Sequence, residues 1–293
     1  MKFLETLEVE MYDFSQANLN NENRIKAITL VASVCYQNPK ALNSASLYNR
    51  LMAESIGLPS SSFEFVPVLL DPKRAPDAMI LGNVNSNVRK FGQWIRAIND
   101  MGNEQDFLLT NYRALVYDCE EKCSLFTEPE TIESIKLDYL QLFNTTFECA
   151  IIKQHFKVFK YNVDTPTRAQ MVRHRVNWQE LSRRYVSGKR VPFDFYISEK
   201  MKDVTTEYGD TQKILDICLE HYYKALEDGV KPEEARRIIP QGMQTIIWGA
   251  FQPRQLENFY KLRLEPKAQV EIREVATAML ELETKGEYSG NSN

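Results

Sequence analysis

The chain has 293 residues, of which 43% are hydrophobic and 26% are charged, a balance typical of a globular protein with enough apolar side chains for a core. Its formal net charge is -4, which argues against binding polymeric nucleic acid or an anionic membrane through general electrostatic attraction. The length allows one large domain or two smaller ones.

The N-terminal sequence MKFLETLEVEMYDF has no apolar run flanked by positive charge, and no stretch of the chain reaches the apolar length of a membrane span. We therefore expect a cytoplasmic protein with no membrane partner. The five cysteines are scattered, and the pair Cys119 and Cys123 lacks a second pair at metal-ligand spacing. We interpret them as reduced thiols and predict no metal site.

The N-terminal half contains several apolar patterns. Residues 24–36 and 46–55 have apolar residues at helical spacing and predict two helices, and the run FEFVPVLL (63–70) predicts a buried strand. DPKRAPDA (71–78) is typical of a loop. The patterns at 87–98 and 131–143 predict further helices.

The C-terminal half begins with HFKVFKYNV (155–163), whose alternation predicts a strand. A helix is expected over 165–175, with Thr165 as its N-cap and Pro166 at its first position. Four more helical segments follow, at 198–229, 231–240, 253–265 and 266–283. In the last of these, one face carries Ala268, Ile272, Val275 and Met279. No repeat of fixed period is evident, and the sequence predicts an α+β fold in which helices dominate.

A basic block occupies residues 171–190, where six cations accompany one acid, Glu180. The cations are Arg173, Arg175, Arg183, Arg184, Lys189 and Arg190. Such clusters are often solvated faces, but this one is interleaved with hydrogen-bonding side chains, and arginines recur downstream. Those later arginines are Arg236, Arg254, Arg263 and Arg273. Because a guanidinium pairs with phosphate at two points, the pattern favours a pocket for a phosphorylated small molecule.

Other sequence signals for nucleotide binding or hydrolysis are lacking. The sequence has neither a Walker-type phosphate loop nor GxGxxG, and only 11 glycines, so side chains must hold any nucleotide. No Ser-His-Asp order is evident, and we interpret His155 and His221 as structural or exposed.

The triplet Arg173-His174-Arg175, followed by ELSRRY (180–185), resembles the signature of flavin-dependent thymidylate synthases. Further motifs resemble the same family in the same order: ASVCY (32–36), SLYNRLMAE (46–54), SSSFEF (60–65), TRAQMVRHR (167–175), ARRIIP (235–240) and PRQLENFYKLRLEPKAQVEIREVA (253–276). The resemblance covers about 24–70 and 155–276.

The resemblance implies one α+β domain over residues 1–293, with a small twisted sheet flanked by helices. This domain is expected to contain an insertion at about 71–155 and to end in a disordered tail at about 286–293. The family is a homotetramer with active sites shared between subunits. It converts dUMP to dTMP by transferring a methylene from 5,10-methylenetetrahydrofolate. FADH2 reduces that methylene to methyl, and NADPH regenerates the FADH2.

Site residues follow from the same resemblance. Cofactor binding is implied for Arg173, His174, Arg175, Gln252, Arg254 and Asn258. Substrate binding is implied for Gln170, Glu180, Ser182, Arg183, Arg184, Arg236 and Arg263. Arg263 is also the implied catalytic residue, because a guanidinium at a uracil carbonyl can stabilise enolate charge without the cysteine nucleophile of ordinary thymidylate synthases.

The sequence departs from the family pattern at several points. Six residues, where the family has seven, separate Arg175 from Ser182. The Ser and Asn usual in that gap are here Asn177 and Gln179. Pro59 or Ser60 stands where a flavin-contacting histidine is usual, and Gln252 replaces an asparagine.

These departures keep alternatives open. One is a flavoenzyme that modifies a related pyrimidine nucleotide, and another is an inactive relative with a structural role. A module that binds nucleic acid through the basic block is a third, against which the acidic balance of the chain argues.

Overall fold

The computed structural model describes residues 2–52, 60–71, 87–123 and 142–289. It combines helices with sheets that are antiparallel except for the short parallel pair of β1 with β8, which confirms the predicted α+β class. The strands are β1 (Phe3–Leu4), β2 (Glu8–Tyr12), β3 (Pro67–Leu70), β4 (Gln93–Ile98), β5 (Glu104–Asn111), β6 (Lys157–Asp164), β7 (Asn177–Glu180), β8 (Phe195–Tyr196), β9 (Thr205–Thr206), β10 (Gly209–Asp210) and β11 (Gln244–Phe251). The helices are α1 (Asn21–Tyr36), α2 (Ala45–Met52), α3 (Asn87–Lys90), α4 (Tyr112–Cys123), α5 (Thr146–His155), α6 (Thr165–Met171), α7 (Glu199–Lys202), α8 (Thr211–Glu227), α9 (Pro232–Ala235), α10 (Pro253–Arg263) and α11 (Val270–Lys285).

A four-stranded antiparallel sheet, in the order β2-β6-β11-β7, forms the centre of the C-terminal half. Its two faces are buried in different clusters because side chains alternate along each strand. On β6, Phe159 and Tyr161 pack with residues of α10 and α11, whereas Val158 packs with residues of α1. The predicted strand at 155–163 is therefore confirmed, with bounds shifted by two residues or fewer.

A second, three-stranded antiparallel sheet has the order β3-β5-β4 and packs into the same cluster as α1. The predicted helix over 87–98 is wrong beyond Lys90, because β4 occupies Gln93–Ile98. In β4 the exposed Trp94 and Ile98 alternate with the buried Ile95, which is the period of a strand and not of a helix.

Other boundaries also differ from prediction. Of the predicted strand 63–70 only Pro67–Leu70 is extended, since Ser61–Phe65 form a 3-10 helix. Helix α6 ends at Met171 and not at residue 175. Its N-cap is Asp164, not Thr165, because the Asp164 carboxylate accepts from Thr167 N at 3.0 Å.

The remaining helices follow the apolar pattern closely. Helices α1, α10 and α11 confirm the predictions at 24–36, 253–265 and 266–283, and the predicted apolar face of α11 buries Ile272, Val275 and Met279 with Ala268 beside them. The segment 198–229 contains α7 and α8 with the hairpin β9-β10 between them.

Some predictions fall wholly or partly outside the described residues. They are most of the helix at 131–143, nearly all of the loop at 71–78, the end of the helix at 46–55, Pro59, and residues 290–293 of the tail. In the described part of the tail, Ser289 N donates to Met11 O at 2.6 Å. No helix in the described ranges is both long and apolar enough to cross a membrane.

Candidate functional site

A cavity of about 530 Å³ lies between the turn that follows α6 and helix α10, and we call it the arginine cavity. It is lined by Arg173, His174, Arg175, Val176, Arg254, Gln255, Asn258, Leu262 and Arg263. Four of these nine residues are arginines, and none of the nine is acidic. The cavity therefore carries uncompensated positive charge, which suits an anionic ligand.

The arginine triplet reaches this cavity because α6 ends before it. His174 N donates to Met171 O at 3.0 Å, which closes a turn, and Gln255 of α10 donates its amide to Arg175 O at 2.8 Å. Two residues apart on a continuous helix, Arg173 and Arg175 would point to different faces. The helix instead ends before both arginines, and both line the same cavity.

His174 and Arg263 form the inner contact of the cavity. His174 is buried, its ring packs against Phe259 at 4.7 Å between centroids, and its Nε2 accepts from Arg263 Nε at 2.8 Å. Burial, assisted by the Arg263 charge, lowers the pKa of His174 to about 4, so the ring is neutral at pH 7. Arg263 Nη2 also donates to Gln170 O at 3.1 Å, which fixes the plane of the guanidinium.

A second cavity, of about 410 Å³, opens beside β7, and we call it the Glu180 cavity. It is lined by Thr165, Arg168, Glu180, Leu181, Ser182, Arg183, Arg236, Met243 and Thr245. Arg168 forms a two-point ion pair with Glu180, at 2.6 and 2.5 Å. Arg168 lies in the TRAQMVRHR motif but was not among the predicted site residues. Thr245 was also missed, because it lies on β11, a strand that the sequence analysis did not predict.

The end of helix α1 holds the Glu180 cavity in place. Cys35 Sγ donates to Glu180 O at 3.2 Å, and Ser182 N donates to Cys35 O at 3.3 Å. The neighbouring Gln179 donates its amide to Cys35 Sγ at 2.7 Å and accepts from the Ser61 hydroxyl at 2.7 Å. The motif ASVCY thus contributes by positioning the signature segment.

Several predicted site residues have partners within the chain. Arg183 is buried and donates to the carbonyl oxygens of Val191 and Pro192 at 2.6 and 3.2 Å, so its guanidinium is directed into the protein. Arg184 is largely exposed, pairs with Glu233 at 2.9 Å, and is not among the residues that line either cavity.

Gln252 is similarly engaged within the chain. It is buried, its amide donates to Phe91 O at 2.9 Å, and it is absent from the lining of the arginine cavity. Among the residues that the structure describes, no group of three or more His, Cys, Asp or Glu side chains is arranged to hold a metal ion.

The structure divides the predicted substrate residues between the two cavities. Glu180, Ser182, Arg183 and Arg236 line the Glu180 cavity, whereas Arg263 lines the arginine cavity and is bonded to Gln170. Gln170 itself lines neither cavity: its carbonyl oxygen accepts from Arg263, and its side-chain amide donates to Gln269 Oε1 at 2.5 Å. The two cavities share no lining residue, so within one chain the predicted substrate residues line two separate cavities.

The family model described as thymidylate synthase complementing protein matches residues 121–285, which is more than half of the chain. The chain belongs to this family. The match confirms the family that the sequence motifs indicated, and all residues that line the two cavities fall inside the matched range.

Similarity to individual members of the thymidylate synthase complementing protein family is moderate. A flavin-dependent thymidylate synthase of Pyrococcus furiosus is 35% identical over 129 residues, covering 42% of this chain and 53% of that protein. One of Sulfurisphaera tokodaii is 33% identical over 136 residues, covering 42% and 49%. The chain thus spans about half the length of the curated relatives it matches.

A solved structure of the UMP/dUMP methylase PolB from Streptomyces cacaoi, bound with 5-Br dUMP, is 23% identical. It has a TM-score of 0.37 and covers 44% of this chain and 67% of that one.

Proposed function

We propose that this chain is a flavin-dependent thymidylate synthase that converts dUMP to dTMP. The reaction consumes dUMP, 5,10-methylenetetrahydrofolate, NADPH and a proton, and yields dTMP, tetrahydrofolate and NADP⁺. The observation that carries the proposal is the arginine cavity. It brings the triplet together with Arg254, Asn258 and Arg263, which lie about 80 residues further along the chain, with no acid among its lining residues.

The residues of the arginine cavity fit FAD. Its diphosphate carries negative charge, and the exposed Arg173, Arg175 and Arg254 supply planar cations that pair with phosphate at two points. Asn258, one turn beyond Arg254 on the same face of α10, adds an amide that can donate or accept. When bound and reduced by NADPH, the flavin supplies the hydride that turns the transferred methylene into methyl.

The Glu180 cavity fits the phosphate of dUMP. Ser182 and Arg236 line it, and we assign to the same phosphate Arg184, which lies two residues after Ser182 and pairs with Glu233. Arg168 neutralises Glu180, so the remaining exposed cation, Arg236, is available to a phosphate.

Arg263 is the residue that we assign to the uracil ring. Its Nε and Nη2 are engaged with His174 and Gln170, and Nη1 is the atom that we assign to a uracil carbonyl. Because His174 is neutral and accepts from Arg263, the guanidinium keeps its charge for the enolate that forms when carbon 5 becomes nucleophilic. Cys35 is engaged with β7 and is not assigned to the chemistry.

A homotetramer with active sites shared between subunits explains the division of the substrate residues. Since Arg263 and the residues of the Glu180 cavity line different cavities within one chain, one nucleotide can contact both groups when a second subunit supplies one of them. We also propose that the chain is a single domain, that it binds no polymeric nucleic acid, and that it acts in the cytoplasm.

A flavoenzyme that modifies a related pyrimidine nucleotide is the second candidate. The shortened signature favours it, because one residue fewer between Arg175 and Ser182 changes the path between the two cavities. An inactive relative with a structural role would retain the fold without turnover.

The test uses purified protein. We expect flavin absorbance near one FAD per chain, and tritium release from dUMP labelled at carbon 5 that requires methylenetetrahydrofolate and NADPH. Release from labelled UMP or dCMP, and not from dUMP, would support the second candidate. A chain that binds no flavin would contradict the proposal, and one that binds flavin without turnover would be the inactive relative.

A further inference from the structure

The two main sheets of the chain share one topology. In the order β3-β5-β4, the last strand in sequence lies in the centre and pairs antiparallel with the other two, and β6-β11-β7 has the same arrangement. The central strands β5 and β11 each lead directly into a helix, α4 and α10 respectively.

The strand registers allow the two sheets to be aligned residue by residue. Gln93 lies opposite Leu109, two residues before Asn111, which precedes α4. Asn177 lies opposite Ala250, two residues before Gln252, which precedes α10. Gln93 therefore corresponds to Asn177.

The sequences agree with this alignment. VRKFGQW (88–94) and VRHRVNW (172–178) share Val, Arg and Trp at the same spacing. Arg113 and Arg254 are each the second residue of their helices. The first sheet has Lys90 and Phe91 where the second has His174 and Arg175, so it lacks the triplet that lines the arginine cavity.

The two sheets touch each other through these corresponding positions. Gln93 Oε1 accepts from Arg254 N at 3.0 Å, across 161 residues of sequence. In the opposite direction Asn177 donates its amide to Glu64 O at 3.2 Å, and the Glu64 carboxylate pairs with Arg113 at 2.5 Å. Each of the two corresponding side chains therefore bonds outside its own sheet, Gln93 to the start of α10 and Asn177 to the 3-10 helix before β3.

The segment before β4 is built for close approach to α10. Phe91 O accepts from the Gln252 amide at 2.9 Å, so Phe91 and Gln93 both contact the beginning of the helix. Between them, a Cβ on Gly92 would lie 2.4 Å from Val88 O and 2.8 Å from Leu108 Cδ1, so a larger residue would displace the segment.

We propose that the first sheet is an internal copy of the second and that Gln93 is a positioning residue for the arginine cavity. The N–H of Arg254 lies in the first turn of α10 and has no acceptor within the helix. Gln93 supplies that acceptor and so fixes the N-terminal part of α10. Arg254 and Asn258 line the cavity from this part of the helix. FAD as the ligand of that cavity rests on the proposed function.

The test compares three variants by FAD titration, by dUMP titration and by thermal unfolding without ligand. Gln93→Leu removes the acceptor at similar size, and Gln93→Glu keeps a carboxyl oxygen in its place, which the positive helix end favours. Gln105→Leu is the matched control, because Gln105 is a partly buried glutamine on the adjacent β5 that bonds Asn99 and Asp71 and not α10. If Gln93→Leu does not fold, Gln93→Asn shortens the side chain and withdraws the acceptor.

We expect Gln93→Leu to weaken FAD binding about three- to tenfold, which is the range of one net hydrogen bond. Gln93→Glu should stay within about twofold of the wild type, and dUMP binding should not change in either. Gln105→Leu should lower only the unfolding temperature.

Unchanged FAD affinity in Gln93→Leu, an equal loss in Gln93→Glu, or an equal loss in Gln105→Leu would each overturn the positioning role. If the wild-type chain binds no FAD, the proposed function fails with it. If the wild type binds FAD and Gln93→Leu binds it equally well, only the positioning role fails.

Discussion

The arginine cavity and the Glu180 cavity differ in how their charge is balanced. In the first, four arginines face one space with no acid among the residues that line it. In the second, Arg168 is neutralised by Glu180, and Arg183 is directed to backbone carbonyls. The first cavity therefore has four positive charges and no lining acid to offset them, whereas the second combines one ion pair with two further arginines, the buried Arg183 and the exposed Arg236. Substitutions in the two cavities should separate flavin binding from nucleotide binding.

The largest effect is expected at Arg263, the residue that we assign to the uracil ring. Arg263→Ala should lower tritium release from dUMP by at least about 100-fold, the cost of removing one donor to a developing oxyanion, with flavin retained at saturating FAD. Arg273→Ala is the control, because Arg273 lies on α11 outside both cavities and bonds Pro266 O. Unchanged release in Arg263→Ala would remove this residue from the mechanism.

Arg173→Ala tests the unbalanced cavity. Loss of one charge-assisted contact costs roughly 1.5–3 kcal/mol, so the dissociation constant for FAD should rise about 10- to 100-fold. The apparent affinity for dUMP should hardly change. Arg237→Ala, on an exposed arginine that lines neither cavity, should leave both ligands bound as in the wild type. Equal FAD binding in Arg173→Ala and the wild type would identify the triplet as a solvated face.

The buried His174 makes the stability of the arginine cavity depend on pH. The unfolded chain takes up this proton near pH 6.5, and the folded chain near pH 4, so stability is lost as pH falls between these values. Without ligand, the free energy of unfolding should fall about 2 kcal/mol more between pH 7 and pH 5 in the wild type than in His174→Asn. Urea unfolding at both pH values measures this, and His221→Asn, at an exposed position on α8, should behave as the wild type. Equal pH dependence in His174→Asn and the wild type would contradict a neutral His174.

Substitutions of Ser182 and Arg184 test the assignment of dUMP binding to the Glu180 cavity. Either alanine variant should raise the apparent KM for dUMP at least about tenfold, since one charge-assisted contact is worth more than 1.4 kcal/mol. Flavin content per subunit should stay at the wild-type value. A parallel loss of flavin would mean that the two cavities bind one ligand and not two.

The smallest effect on chemistry is expected for the cysteines. Replacing all five with Ser or Ala should leave a folded, flavin-loaded protein that still turns over. Cys35→Ser should be tolerated better than Cys35→Ala, because a hydroxyl can replace the contacts to Glu180 O and Gln179. Loss of turnover in a single Cys→Ala variant that keeps its fold and flavin would contradict a mechanism without a cysteine nucleophile.

Much of this protein follows from sequence alone because its signals are local. The apolar period of 3.6 residues predicted α1, α10 and α11, and the proline and N-cap pattern located the start of α6 within one residue. The order of the motifs around Arg173-His174-Arg175 gave the family, which the family match confirms.

What the sequence did not determine depends on contacts between distant residues. Strand β11 is central to its sheet, yet QTIIWGAF has no clean alternation because helices pack on both faces of the sheet and the side chains on both faces are buried. The pattern at 87–98 predicted a helix because the sequence alone shows neither the close contacts around Gly92 nor the pairing of β4 with β5.

The division of the site into two cavities also depends on tertiary packing. Gln170, Glu180 and Arg263 formed one predicted set, but α6 ends at Met171, the triplet that follows lines a cavity with residues of α10, and Glu180 lines a different cavity. The sequence determines which charged groups are present and which helices carry them. Only the packing of those helices decides which groups share one cavity, because that depends on where each helix ends and what covers it.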